Sequence, residues 1–183
     1  FRRVLFRSKE NIFSDLNNPG IYDISRNDFS QYFGFTEAEV QAMVEPQDWE
    51  DVRTWYNGYT FGDSTTIYNP WSIIHFLKHK KFESYWINSS GNTLIKKTLT
   101  ADKMKGMQIL IEGGTIEQYY DPHIILRDLD KNKTAFWNLL YASGYLTFAG
   151  EGSDRDRKMK IPNQEILYFF EHIIQNWLGN GEG

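Results

Sequence analysis

The chain has 183 residues, 40% of them hydrophobic and 16% aromatic, which suffices for one core or two small ones and excludes a disordered chain. A net charge of −4 gives no basic excess to suggest nucleic acid as a partner of the whole surface. With no cysteine, disulfides and thiolate metal sites are excluded, which fits a cytoplasmic location, and no apolar run approaches the ~20 residues of a membrane span.

Taken in order, Phe1–Ser8 (FRRVLFRS) resembles translated sequencing-adapter read-through, so residues 1–8 are set aside from fold reasoning. Ile12, Phe13 and Leu16 make a short apolar turn, and Asn17-Asn18-Pro19-Gly20 is a loop with strong turn chemistry. Ile21–Ile24 reads as a short strand or docking segment, and Phe29–Phe33 as a local aromatic group. Thr36 followed three residues later by Glu39 is a capping box, with Phe35 stapled to Val40, so a helix starts there. Through Asp51 this stretch carries six acids and no base, which reads as a solvated helix face more readily than as an acidic docking surface.

Trp55–Gly62 (WYNGYTFG) and Tyr68–Ser72 (YNPWS) concentrate aromatics, glycines and a proline. They predict a rigid aromatic turn, a short strand near Thr66–Tyr68 and a helix opening near Pro70. Trp71, Ile73, Ile74 and Leu77 mark that helix's apolar stripe, and His79-Lys80-Lys81 its end. Phe82–Ile87 looks extended, Asn88–Asn92 is a loop, and helices follow through Leu94–Leu99 and Met104–Ile111.

From Thr115 the pattern changes. Ile116–Tyr120 reads as a strand, and Thr134–Ser143 as a helix with Phe136, Trp137 and Leu140 inward, stopped by Gly144. Tyr145–Ala149 and Lys158–Ile161 are two strands about a charged turn. Ile166, Phe169, Phe170, Ile173, Ile174 and Trp177 recur at helical spacing, with Glu165, Glu171, His172, Gln175 and Asn176 on the other face. Residues 179–183 form a Gly-rich tail. The expected class is mostly α with small β elements (α+β), a helical lid-like segment leading into a winged-helix-like unit.

Chemistry is sparse. A phosphate-cradling loop needs a Gly-Lys pair, and none of the fourteen glycines precedes a lysine. Ile109–Glu112 imitates an apolar strand ending in a magnesium carboxylate but continues a helical run. Asp156 and Lys158 match half of a nuclease metal site, with Asp154 in the same turn, where a solvated wing tip is the better reading. His75 and His79 share a helical face without a third ligand. Arg155, Arg157, Lys158 and Lys160 on the wing are the candidate nucleic-acid contacts, set against Glu151, Asp154 and Asp156.

Seven stretches then fall in the order and near the spacing of one family: ENIFSDLNN (10–18), FGFTEAEV (33–40), WYNGYTFG (55–62), IYNPWS (67–72), YWINSS (85–90), SGYL (143–146) and IPNQE (161–165). From Lys9 to Leu178 the chain resembles the bacterial AAA-ATPase-like proteins, predicted P-loop ATPases often joined to a PD-(D/E)XK nuclease-like domain. The resemblance implies that the phosphate loop lies upstream and the nuclease-like domain downstream. Residues 9–92 would then be the lid-like end of the ATPase module, and 93–178 the winged-helix-like connector. It also implies that ATP and magnesium belong to the parent protein, that its core and nuclease-like domain are partners in cis, and that no catalytic or metal residue lies here. Tyr56, Asn57, Gly58, Tyr59, Phe61, Tyr68, Asn69, Pro70 and Ser72 are the lid or hinge candidates, a plain aromatic core being the competing reading. The alternative function is a winged-helix nucleic-acid-binding module.

Overall fold

Residues 30–61, 65–86, 99–120, 133–150 and 156–179 are described by a computed structural model of the chain. After a 3-10 turn at Ser30–Tyr32, β1 (Phe35–Thr36) leads directly into α1 (Glu37–Met43). The capping box is formed: Thr36 Oγ1 accepts from the Glu39 amide, and the Glu39 carboxylate accepts from the Thr36 amide at 2.8 Å. Those bonds hold the Glu39 carboxyl below its ordinary pKa. Phe35 and Val40 join the same cluster, as a hydrophobic staple requires.

The predicted aromatic turn is instead a helix end and a strand. α2 (Trp49–Tyr56) runs through Trp55 and Tyr56, Asn57 and Gly58 break it, and β2 (Tyr59–Phe61) begins at once. β2 pairs antiparallel with β3 (Thr65–Tyr68), which pairs on its other side with β1, giving a sheet of order β1-β3-β2. Helix α3 (Pro70–His79) opens as expected, with Pro70 at its first position and Asn69 Oδ1 accepting from the Trp71 amide at 3.0 Å. It ends on Lys80, a left-handed C-cap at φ 53°. Its buried face differs by one position from the predicted stripe: Ser72, Ile73 and Phe76 point inward, while Trp71 and Ile74 are each 54% exposed. The six acids are partly offset by distant cations, Arg53 to Glu37 (3.3 Å) and Lys80 to Glu45 (3.6 Å).

Phe82–Trp86 is not a strand, because its main chain is used elsewhere. The buried Tyr56 hydroxyl donates to the Glu83 carbonyl (3.0 Å) and accepts from the Glu83 amide (3.2 Å). Tyr85 and Trp86 then turn. The helix expected over Leu94–Leu99 lies almost wholly outside the described residues, as do Phe1–Ser8, Asn11–Ile24 and the wing tip at 151–155.

The second half follows its prediction closely. α4 (Ala101–Ile111), β4 (Ile116–Tyr119), α5 (Lys133–Ala142), β5 (Thr147–Phe148), β6 (Asp156–Lys160) and α6 (Gln164–Gly179) come in that order. The strands form an antiparallel sheet of order β4-β6-β5 with Ile116 opposite Met159 and Phe148 also opposite Met159. Ile109–Glu112 is the end of α4 and its cap, so its apolar run is helical. The class is α+β, helices with two small three-stranded sheets.

Two apolar clusters result. Val40, Val52, Tyr56, Tyr68, Ile73 and Phe76 fill the first, under the β1-β3-β2 sheet. Met107, Phe136, Leu140, Met159, Ile166 and Phe170 anchor the second, larger one, and Phe33 and Trp86 reach across to pack against it. Leu140→Ala, at a fully buried position, should cost about 2–5 kcal/mol, whereas Thr36→Ala should cost only about 1 kcal/mol. Urea unfolding of the two variants measures the contrast.

Candidate functional site

The residue that ties the two clusters together is Glu165, near the start of α6. Helical periodicity placed it on the polar face. The structure corrects this: Glu165 is 0% exposed. Asn163 caps α6, its Oδ1 accepting from the Ile166 amide at 3.2 Å, so the first turn is fixed and Glu165 is directed into the junction. There Ser72 Oγ donates to Oε2 at 2.7 Å and the Trp86 amide donates to Oε1 at 2.7 Å. Ser84 Oγ donates to the Glu165 main-chain carbonyl at 3.2 Å. One residue thereby joins α6 to α3 and to the turn that follows it.

Among the described residues no Lys, Arg or His pairs with this carboxylate. Burial pushes its pKa up to about 7, against the opposing pull of the hydrogen bonds from Trp86 and Ser72 and of the nearby Tyr85 amide. The phenols around it are also displaced upward by burial. Tyr59, buried beside it, sits well above its usual value, with burial the main cause and the Glu165 charge adding to the shift. Tyr145 is pushed to about 12 for the same reason of burial. The Tyr59 hydroxyl lies beside Asn163 without closing a hydrogen bond of normal length, and Asn163 Nδ2 is likewise without a partner.

Of the hinge candidates, Tyr56, Tyr59 and Ser72 adjoin this joint, while Tyr68 lies in the first cluster against Trp49. Tyr56, Tyr68 and Ser72 are fully buried, and Tyr59 nearly so. Asn57 accepts from the Gly58 amide through its own side chain, at 2.6 Å, and Asn69 and Pro70 form the α3 start. Phe61 closes β2 opposite Thr65. Gly58 has φ +108°, and a Cβ there would lie 1.9 Å from the Pro162 carbonyl oxygen, so the WYNGYTFG and IPNQE stretches touch backbone to backbone. Thr60 N donates to Thr147 Oγ1 at 2.8 Å, and Trp86 packs on Tyr145 at 5.1 Å. Beside the joint, Trp55 and Tyr168 stack at 5.3 Å and line a groove of about 450 Å³ with Ser84, Glu171, His172 and Gln175.

The candidate nucleic-acid contacts are divided. Lys158 and Lys160 share the exposed face of β6 with Asp156, and Lys158 stands opposite Glu117. Arg157 is on the other face, its guanidinium 5.0 Å from the Phe148 ring centre. Arg155 and Asp154 lie outside the described residues. His75 and His79 do share a face, but their rings stack with one another and with Tyr85. Among the described residues no group of three or more His, Cys, Asp or Glu could hold a metal ion, and no helix is long and apolar enough to cross a membrane.

Nothing in the sequence pattern marks Glu165 as buried. The available signal is that IYNPWS, YWINSS and IPNQE each supply one member of the joint: Ser72, Trp86 and Glu165. Gly58→Ala should be among the most damaging small substitutions in the chain, because it combines left-handed backbone with a backbone clash. A loss of several kcal/mol is expected, at about 2–4 °C of melting temperature per kcal/mol, against only about 1–2 kcal/mol for alanine at Gly150, whose φ of +73° is also left-handed but where nothing lies within 4 Å of the added Cβ.

No family model matches the chain, and no solved structure is similar to it. A curated relative, described as an uncharacterized protein in the vnfD 5' region of Azotobacter chroococcum mcd 1, is 27% identical over 167 residues. The match covers 87% of this chain and 30% of that protein, so the chain spans under a third of the length of the relative it matches.

Proposed function

We propose that this chain is the lid and connector region of an AAA-ATPase-like protein of the cytoplasm, coupling an upstream nucleotide-binding core to a downstream nuclease-like effector. It carries no complete active site of its own in this reading. The observation that supports it is the convergence on Glu165. The lid-like part contributes Ser72 and Trp86, the connector contributes the carboxylate, and a movement of α3 is therefore felt at the start of α6. The length of the relative leaves room for such modules in a protein of this kind. ATP and magnesium would be bound by the upstream core. The residues described here neither form a metal cluster nor offer a Gly-Lys pair, and no step of hydrolysis is assigned to them.

The test is Asn69→Ala in an intact protein that carries this region with its nucleotide core. Loss of the α3 cap should cost about 1 kcal/mol, equivalent to about 2–4 °C in melting temperature. The relay reading expects ATP turnover to fall at least about ten-fold, far more than that loss explains. Turnover that falls only in proportion to stability would favour a plain aromatic core and overturn the relay.

Lys158 and Lys160, together on the exposed face of β6, favour nucleic-acid binding as the second reading, with Arg157 turned away and Asp156 next to Lys158 on the same face. It expects salt-dependent retardation of duplex DNA that weakens when both lysines are changed to alanine. No retardation at low salt removes it.

A further inference from the structure

We propose that Glu165 is a proton-operated latch: with the proton on, it clamps the first turn of α6 to Ser72 and Trp86, and with the proton off, the clamp loosens. The inference stands on the geometry of this chain and does not require the ATPase reading. Both carboxylate oxygens face partners that suit either state. The Trp86 amide can only donate, and does so to Oε1 at 2.7 Å. The Ser72 hydroxyl at 2.7 Å from Oε2 can donate to the ionised acid or accept from the protonated one. Both carboxyl oxygens therefore keep a partner when the group is neutral.

When ionised, it holds an enclosed charge with two donors and, among the described residues, no cation. A carboxylate in that position gains by admitting water. The route is short, because Ser84, which donates to the Glu165 carbonyl, also lines the open groove beside Trp55 and Tyr168. The titratable groups facing Glu165 are Tyr56 on α2, Tyr59 on β2 and Tyr85 on the turn, the Glu165 charge contributing to the upward shift of each. All three stay neutral through the range in question, and none of them competes for the proton. Glu165 lies in the first turn of α6, whose dipole favours the anion, yet burial outweighs it.

The sign follows from the direction of the shift. The folded carboxyl holds its proton to about 7 from an ordinary value of 4.5, so the closed joint binds more protons than the opened one. Its contribution is complete below about 4.5 and is lost as pH rises through about 7. Within that window each pH unit changes the opening equilibrium up to about ten-fold.

Amide hydrogen exchange of the whole chain, corrected for intrinsic rates, tests this at pH 5 and pH 8. Peptides containing Ser72, Trp86 and the first turn of α6 should lose at least about ten-fold in protection at the higher pH. Peptides of the β1-β3-β2 sheet should change less. Glu165→Gln, which can accept from Trp86 and donate to Ser72, should abolish the difference. Ser72→Ala removes a bond that favours the anion, so the midpoint should move to higher pH, and this arm remains if the glutamine variant folds poorly. Protection that is independent of pH in the native chain would overturn the latch, as would an unchanged pH response in Glu165→Gln or an unshifted midpoint in Ser72→Ala.

Discussion

A carboxylate enclosed with no counter-charge among the described residues is the constraint on which this structure turns. Removing such a group from water costs several kcal/mol even after relaxation. A hydrogen bond to a charged acceptor returns about 1.5–3 kcal/mol, and Glu165 receives two through its side chain. The opposing terms are of similar size, and burial prevails, as the upward displacement of the acid shows. Any of its partners that moves changes that balance, and so the junction responds to events on either side of it.

The rest of the junction is built so that such movement is not absorbed locally. Gly58 meets the Pro162 carbonyl with no side chain between them, and the Thr60 amide is bonded to Thr147. Trp86 leaves its own half to pack on Tyr145. On either side lies an apolar cluster of interdigitated rings and aliphatic chains, which transmits displacement because dense cores have little room to yield. The polar contacts between them are directional and so fix the register, whereas apolar faces alone tolerate sliding.

What sequence reasoning could reach was whatever is decided within a few residues. The Thr36–Glu39 box, Pro70 at the head of α3 and the paired strands at 147–148 and 156–160 are local signals, and each is present in the structure. The errors share one origin. An acid in the first turn of an amphipathic helix is usually there for the dipole, so Glu165 reads as solvated. Its principal partner is 93 residues away and leaves no trace in the local pattern. Trp71 and Ile74 match a 3.6-residue stripe as well as Ile73 and Phe76 do, and only the tertiary contacts choose between two adjacent faces. The Trp55–Gly62 stretch is dense in aromatics because it serves a helix, a break and a strand in turn, and density alone does not divide the three.

Asn163 carries a consequence for how the molecule is dissected. Its side-chain oxygen starts α6 while its main chain follows the proline that abuts Gly58. Expressing residues 93–183 by themselves would leave that helix start facing solvent, with Glu165 free to ionise and Trp86 missing from the larger core. Expressing 1–92 would strip Ser72 and the Trp86 amide of their shared acceptor. The boundary at 92/93 that the family resemblance implies separates groups that complete each other across it.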